Sequence, residues 1–373
     1  MQEGNEVVWI ESFNEKNACS TVFGKDGREK LVFLLPLTPE GLTWSDMKKY
    51  VLIILFCLQN LAAYTQVLKG TVYDAKTKNT IPYASVYFNG TFAGTTSNQQ
   101  GSFELDRSNN LSMPVTISAI GYYSVTIADV SKESLPRIYL NPKEYALKEA
   151  VVKTKSLVRR RKMYLDTFRA EFLGTTRNAN SCHIVNENDI TFDYNSNIDT
   201  LHAYALKPIV VENDALGYTI TYYLDKFEYY WKKETVYFYG HIKFSEKKPI
   251  TKMLQTQLEN RRQAYLGSKM HFFRTLQNND LKAQGYTLLT PDGEQLSAKN
   301  IVTMDSANHT YLHSPSRFII WYKSKSTSFF FLKEYVYFDK IGYFDPSGVN
   351  WFGDMGEKRI ADWLPYEYTI ENK

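Results

Sequence analysis

The side chains best able to do chemistry in this 373-residue sequence are its six histidines. Zinc hydrolases set two of their ligands on one helix face with short patterns such as HxxE or HExxH. No histidine of this chain begins such a pattern, and His309 and His313 lie in NHTYLHSPS, whose composition is typical of a loop or strand end. We therefore expect no metal site, no cofactor, no catalytic residue and no peptidase activity. The six histidines are His183, His202, His241, His271, His309 and His313.

Two other stretches combine reactive residue types. Cys182 is followed by His183, the residue types of a nucleophile and its base, but adjacent residues of a strand point to opposite faces. DYNSNID (Asp193–Asp199) repeats Asp or Asn at alternate positions, like the first half of an EF-hand loop. The glycine and glutamate that this loop requires are replaced by Ile198 and Tyr204. We therefore predict a polar hairpin tip there, and no catalytic Cys–His pair.

Polar residues recur at helical spacing in RRQAYLGSKMHFFRTL. They could line a polar site, which is the functional interpretation. The structural interpretation is that Tyr265 and Phe272 face a core while the basic residues cap the helix or face solvent, and we favour it. The residues concerned are Arg262, Tyr265, Ser268, His271 and Arg274.

The aromatic runs EYYW (Glu228–Trp231) and YVYF (Tyr335–Phe338) allow two interpretations. Flat aromatic rings can stack on the C–H faces of sugar rings, which would make a carbohydrate site. In β-rich proteins such runs more often form cross-strand pairs in the core. Both interpretations stay open at the level of sequence, and we assign no binding residue.

The elements that must position these residues begin with short strands and turns. VLKGTVYDA and YASVYFNG alternate apolar and polar residues, and strands recur about every ten residues up to residue 142, as in a β-sandwich. TFAGTTS, the turn NQQG and SFEL predict a hairpin. Phe103 and Leu105 are expected to face the interior. Gly94, Gly101 and Gly121 are expected in turns that favour glycine.

The run GTVYDAKTKNTIPYASVYFNGTFAGTTSNQQGSFEL, followed by ISAIGYYSVTI and IYLNPKEYALKEAVV, resembles a carboxypeptidase-like regulatory domain. This resemblance covers residues 67–152 and implies a transthyretin-like β-sandwich of about seven strands. The family includes domains that lie beside metallopeptidase units and domains that precede the plug of outer-membrane receptors. We expect neither of these activities, because peptidase ligands are missing and the rest of the chain is too short for a barrel of about 22 strands.

The second region, residues 153–373, mixes helical and strand patterns. SLVRRRKMYLDTFRAEFLGTT predicts a helix with a stripe that includes Met163, Phe168 and Phe172. Five strand-like segments follow, from DITFDYN to TVYFYGHIKF, and KMLQTQLENRRQAYLGSKMHFFRTLQNND predicts one helix with Leu254 and Leu258 on its apolar face. RFIIWYK, TSFFFLK and EYVYFD predict further strands. The region resembles parts of surface proteins of Gram-negative bacteria, and its predicted class is α+β.

The segment MKKYVLIILFCLQNLAAYTQ begins at Met47 and has the layout of a secretory signal peptide. Its apolar run of nine residues would span about 14 Å as a helix, which is too short for a bilayer. We therefore predict a signal peptide over residues 47–65, an over-extended gene start over residues 1–46, a β-sandwich domain over residues 66–152 and an α+β domain over residues 153–373. Cys182 would then be the one cysteine of the exported part.

Charge and composition limit the class of partner. The chain has 44 Lys and Arg against 40 Asp and Glu, a net charge of +4, and the excess stays mild without residues 1–65. RRRK (Arg159–Lys162) is too short for a nucleic-acid surface, although it could contact a membrane surface.

We expect an exported, non-enzymatic cell-envelope protein of the periplasm or outer membrane. Its sandwich would serve structure or binding to an envelope protein; the alternatives are a carbohydrate-binding surface protein and, third, a hydrolase.

Overall fold

The computed structural model describes the backbone of residues 19–23 and 29–33, and it describes residues 67–107, 113–127, 134–143, 155–247, 254–306, 308–314 and 317–370. The chain divides into two compact units, Met1–Thr65 and Gln66–Lys373. In the first unit, β1 (Cys19–Phe23) pairs antiparallel with β2 (Glu29–Phe33), although residues 1–46 show no sustained alternation. The predicted signal segment, residues 47–65, lies outside the described residues.

The second unit begins with a β-sandwich. Its strands are β3 (Val67–Asp74), β4 (Ser85–Phe88), β5 (Gly94–Thr96), β6 (Ser102–Asp106), β7 (Val115–Ser118), β8 (Val125–Ile127) and β9 (Ser134–Leu140). One sheet has the order β6–β3–β9, with β3 antiparallel to β6 and parallel to β9. The other sheet has the order β5–β4–β7–β8 and is antiparallel throughout.

Both sheets contribute to one apolar core. Phe103 and Leu105 of β6 are buried in it, as their alternation predicts, and Val86 and Phe88 of β4 enter it from the other sheet. Tyr87 lies between these two residues on β4 and is also fully buried, because its ring stacks on Tyr223 with centroids 5.7 Å apart. The sandwich is therefore covered on one outer face by the second region.

The predicted hairpin between TFAGTTS and SFEL is wrong. The turn itself exists, because Asn98 Oδ1 accepts hydrogen bonds from the N–H groups of Gln100 and Ser102 at 2.9 and 3.0 Å. However, β5 pairs with β4 whereas β6 pairs with β3, so the turn carries the chain from one sheet to the other. Gly101 has a φ of 75° in this turn, as expected, whereas Gly94 has no positive φ and begins β5.

The second region opens with one helix and a six-stranded antiparallel sheet. They are α1 (Lys155–Leu173), β10 (Cys182–Ile184), β11 (Ile190–Asn195), β12 (Thr200–Ala205), β13 (Ile209–Asn213), β14 (Tyr218–Tyr230) and β15 (Thr235–Glu246). The sheet order is β10–β13–β14–β12–β11, and β15 pairs with the long strand β14. Phe168 and Phe172 of α1 pack on the sheet through Phe227 and Tyr222. Met163, which was predicted on the same stripe, is instead 49 % exposed.

The single helix predicted after β15 is two helices. They are α2 (Leu254–Tyr265) and α3 (Lys269–Gln277), separated at Gly267, which has a φ of 71°. Ser268 begins α3 by accepting a hydrogen bond from the His271 N–H at 3.1 Å, as an N-cap does. Leu254 and Leu258 of α2 are each 37 % exposed and do not join the core as predicted.

The remaining residues form two more sheets and two short helices. They are β16 (Tyr286–Leu289), β17 (Gln295–Leu296), α4 (Ala298–Ile301), β18 (Val302–Met304), β19 (Thr310–Leu312), β20 (Phe318–Tyr322), β21 (Lys325–Phe331), β22 (Val336–Phe338), β23 (Val349–Gly353) and α5 (Asp354–Glu357). One sheet has the order β17–β16–β20–β21–β23, and the other has the order β18–β19–β22. The strands predicted in RFIIWYK, TSFFFLK and EYVYFD correspond to β20, β21 and β22.

Backbone hydrogen bonds join the sandwich to the second region. The Gly90 N–H donates to the Ile242 carbonyl at 2.8 Å, and the Phe244 N–H donates to the Thr91 carbonyl at 3.1 Å. From the end of the chain, the Tyr366 N–H donates to the Gly90 carbonyl at 2.9 Å. The predicted fold class, a mainly β N-terminal sandwich followed by an α+β region, is confirmed.

Candidate binding site

Five aromatic rings lie on one face of the three-stranded sheet β18–β19–β22. Tyr311 of β19 is in register with Tyr337 of β22, and their ring centroids are 5.9 Å apart. Because side chains alternate along a strand, His309 and His313 flank Tyr311 on this face and Tyr335 flanks Tyr337. His309 lies 6.0 Å from Tyr337, and His313 lies 5.3 Å from Tyr335, between ring centroids. We call this set the ring face.

The opposite face of the same sheet explains why these rings point outward. Leu312, Val336 and Phe338 are fully buried in the core of the second region, and the residues between them on each strand must face the other way. Tyr335 is 47 % exposed and the His309 side chain is 52 % exposed. The sheet therefore presents Tyr335 and His309 to solvent, with Tyr311, Tyr337 and His313 partly buried beside them, while its other face packs in the core.

Asp305 orients His309 at the edge of the ring face. Its carboxylate accepts a hydrogen bond from the His309 backbone N–H at 2.8 Å and lies 2.9 Å from His309 Nδ1. The Tyr311 hydroxyl donates to the same carboxylate at 3.2 Å. Partial burial of the phenol and this hydrogen bond raise the pKa of Tyr311 above its ordinary value. Nδ1–H of His309 can donate to Asp305, which leaves Nε2 for another partner.

This arrangement has the parts of a site for a polar ring-shaped ligand. Exposed rings can stack on an apolar ligand face, while a carboxylate and an imidazole beside them can bind hydroxyl groups. The sequence pointed separately to His309, His313 and YVYF but not to Tyr311 or Asp305. Strand pairing between β19 and β22 brings these segments together, and no local spacing could have indicated it.

The predicted polar set on α2 and α3 does not gather around a common opening. Arg262 is exposed beside Glu259, whereas Tyr265 is buried, as the structural interpretation expected. His271 is 3 % exposed, and its Nδ1 accepts hydrogen bonds from the Gly267 N–H at 3.1 Å and the Tyr286 hydroxyl at 3.0 Å. Burial lowers the pKa of His271 to about 4, so the imidazole is neutral near pH 7.

Arg274 is also occupied within the fold. Its guanidinium donates to three backbone carbonyls, those of Ile341 at 2.8 Å, Tyr368 at 2.7 Å and Tyr366 at 2.8 Å. These hydrogen bonds tie α3 to the end of the chain, where Tyr366 reaches the sandwich. Contrary to the expectation for the basic residues of this set, Arg274 neither caps its helix nor faces solvent.

The other predicted candidates are spread over the six-stranded sheet. DYNSNID spans the tip of the hairpin between β11 and β12, where Asn195 Oδ1 accepts a hydrogen bond from the Asn197 N–H at 3.0 Å.

The Cys182 thiol donates to the Asn178 carbonyl at 3.3 Å, and burial raises its pKa to about 12. His183 lies instead beside Glu212 at 3.4 Å. Among the described residues, no three His, Cys, Asp or Glu side chains are grouped to hold a metal ion.

The run EYYW differs from YVYF in where its rings lie. Tyr229 is 9 % exposed and packs edge-on against Trp231 at 5.0 Å between ring centroids. The Tyr230 hydroxyl donates to Glu228 at 2.8 Å on the outer side of β14. EYYW thus follows the core interpretation, whereas YVYF divides its residues between the core and the ring face.

A buried charged cluster that the sequence did not indicate lies where the sandwich meets β14. Asp225 is 3.2 Å from His241 Nε2 and 3.8 Å from the Lys143 ammonium, which also donates to the Leu224 carbonyl at 2.7 Å. Burial lowers the pKa of Lys143. Asp225 Oδ1 and His241 Nδ1 are buried without a hydrogen-bond partner among the described residues.

The fold therefore defines a β-sandwich domain joined to an α+β region that carries the ring face. Residues 68–152 match the family model of the CarboxypepD_reg-like domain, so the chain contains a domain of this family, as the sequence resemblance predicted. No curated protein matches the chain.

Two solved structures are among the similar ones. A 9R-lipoxygenase from Cyanothece PCC8801 is 10 % identical over 59 % of this chain and 48 % of its own, with a TM-score of 0.18. The chain thus spans about half the length of that enzyme. A putative membrane-associated protein of unknown function from Bacteroides fragilis NCTC 9343 is 12 % identical over 77 % of this chain and 94 % of its own, with a TM-score of 0.16. Neither similarity carries an argument about fold or function.

Proposed function

We propose that this chain is an exported, non-enzymatic cell-envelope protein that binds carbohydrate through the ring face. The observation that carries the proposal is the pairing of Tyr311 with Tyr337, which places their rings 5.9 Å apart beside the half-exposed Tyr335. The export part rests on the signal-like segment at residues 47–65. None of the helices among the described residues is long and apolar enough to cross a membrane.

The ring face suits a sugar for two physical reasons. Rings standing on a sheet keep their orientation without the ligand, so little conformational entropy is lost on binding. His309 lies at its edge, held by Asp305, and can offer a polar group to a hydroxyl, while the tyrosine rings contact the C–H face. The polar candidates inside the region, such as Arg274 and His271, are engaged with backbone and core groups and serve packing.

A glycan array incubated with the purified protein tests the carbohydrate assignment. We expect binding to a restricted group of glycans, and the bound glycans should keep their mass, since no bond is cleaved. If the array shows no binding and the protein instead captures an envelope protein in a way that Tyr335→Ala abolishes, the partner of the ring face is a protein and not a glycan. Glycans that are shortened during incubation would instead indicate a hydrolase.

A further inference from the structure

Among the residues that the structure describes, only half of the outer edge of the long strand β15 has a neighbouring segment. The sandwich covers one half, where Gly90 donates to the Ile242 carbonyl at 2.8 Å and the Ile242 N–H donates to Asn89 Oδ1 at 2.7 Å. Phe244 N–H continues the pattern by donating to the Thr91 carbonyl. Residues 89–91 thus run along β15 like a short added strand, and the bridge between Thr91 and Lys243 is parallel.

The direction of the remaining backbone groups follows from these contacts. In a strand, consecutive residues direct their N–H and C=O groups to opposite edges. Because Ile242 and Phe244 direct theirs away from β14, Gly240, Phe238 and Val236 do the same. Among the described residues, the N–H and C=O groups of these three have no hydrogen-bond partner. We call residues 235–240 of β15 the open edge.

The open edge lacks the features that usually protect a strand edge. Its sequence, TVYFYG, contains no proline and no charged residue. The irregularity in pairing lies on β14, between Leu224 and Lys226, and leaves β15 regular. Val236 and Phe238 pack against the core of the second region but are only partly buried by the described residues.

The outer side of the open edge adds an aromatic surface. Tyr237 and Tyr239 are 45 % and 49 % exposed, with ring centroids 5.8 Å apart, and Lys226 lies over the Tyr237 ring at 5.4 Å. Cross-strand contacts with such rings stabilise a paired strand. A strand added here would thus find backbone partners, an apolar flank on one side and tyrosine rings on the other.

We propose that the open edge binds an extended peptide segment of a partner protein by strand addition. The sandwich segment 89–91 already uses this mode on the adjacent half of the same edge, so the new strand would continue an existing interface. Five residues from 236 to 240 span about 17 Å at about 3.3 Å each, enough for a segment of five or six residues. Alternate residues of that segment would be apolar, to cover Val236 and Phe238.

The test uses the full chain and a phage-displayed library of linear heptapeptides. We expect selected peptides to alternate apolar and polar residues and to slow amide hydrogen exchange at Val236, Phe238 and Gly240. Val236→Pro removes one outward N–H, and proline is tolerated where that group faces solvent. It should weaken binding by about tenfold or more, as expected when strand pairing and its contacts are lost. Lys232→Ala, at the tip of the same hairpin, should leave binding unchanged.

Three results would overturn this proposal. The first is a library that yields no binder, or binders that are insensitive to Val236→Pro. The second is strong protection of the same three amides in the free monomer, because the edge would then already be closed; this measurement holds even if the proline variant does not fold. The third is a concentration-dependent dimer that Val236→Pro dissolves, because the occupant would then be a second copy of the chain. Glycan binding at the ring face is independent of all three.

Discussion

Gly90 and Tyr366 are in contact where the sandwich meets the end of the chain. The Tyr366 N–H donates to the Gly90 carbonyl at 2.9 Å, and a Cβ on residue 90 would lie 2.6 Å from the Tyr366 ring. Gly90 also has a φ of 79°, which side chains rarely adopt. The same residue donates to Ile242 of β15, so three distant parts of the sequence converge on it.

We expect Gly90→Ala to lower the free energy of unfolding by roughly 2–4 kcal/mol, from backbone strain and the clash with Tyr366 together. Gly293→Ala is the matched control, because Gly293 has a φ of 89° but would place its Cβ in open space. It should cost only about 1 kcal/mol, from backbone strain alone. Urea unfolding of both variants gives the comparison. Equal losses would mean that the Tyr366 ring moves aside at little cost and that no steric clash forms at residue 90.

His271 should make the protein less stable in acid. Burial lowers its pKa to about 4 in the folded chain, against about 6.5 in an unfolded one. Between these values the unfolded chain binds a proton that the folded chain does not. The contribution of neutral His271 to the free energy of unfolding is therefore complete above pH 6.5 and is lost as the pH falls toward 4. The shift corresponds to about 3 kcal/mol at most.

The measurement is the pH dependence of unfolding for wild type and for His271→Gln. The variant should lose less stability than wild type between pH 6.5 and 4, even if it is less stable at pH 7. The two curves must be compared because burial raises the pKa of Asp339 to about 6. This carboxyl binds its proton more readily in the folded chain, so it raises the free energy of unfolding as the pH falls. His183→Gln, at a side chain that is 57 % exposed, is the control. Parallel curves for wild type and His271→Gln would contradict the assignment.

Residues 67–152 should fold as a separate β-rich domain, because both sheets of the sandwich and most of its core come from this segment. The fragment would uncover Tyr87, whose ring is stacked on Tyr223 in the whole protein. We therefore expect a cooperative melt at a lower temperature than that of the full chain. Far-UV circular dichroism and thermal melting test this expectation, and a random-coil spectrum would mean that the sandwich depends on the second region.

Export makes a prediction about the mature N-terminus. If the segment that begins at Met47 is a signal peptide, protein purified from the envelope should begin at or near Gln66. Peptide mass spectrometry of native material tests this directly. Peptides from residues 1–46 in the mature protein would contradict both the cleavage and the proposed gene start.

Individual strands could be read from the sequence, but their partners could not. The turn at Asn98–Gly101 has the residues of a hairpin turn, yet it links two different sheets, because which strands pair depends on the whole core. Similarly, Gly267 ends a helical pattern that continues on both sides of it, since one left-handed residue is enough to redirect the chain.

The candidate site shows the same limit. Alternation in YVYF could indicate that its tyrosines share one face, but only the pairing of β19 with β22 places Tyr311 and Asp305 beside them. The buried charged cluster at Asp225 depends on contact between Lys143 of the sandwich and β14, and no local sequence pattern could have indicated it.

The most direct test of the central claim is calorimetric titration of the protein with a glycan selected on the array. We expect Tyr335→Ala to weaken binding by about tenfold, since loss of one stacked ring removes about 1 kcal/mol or somewhat more. Tyr194→Ala, at a tyrosine that is 38 % exposed on another sheet, should bind like wild type. Unchanged affinity in Tyr335→Ala, with a melting temperature like that of wild type, would contradict a carbohydrate site at the ring face.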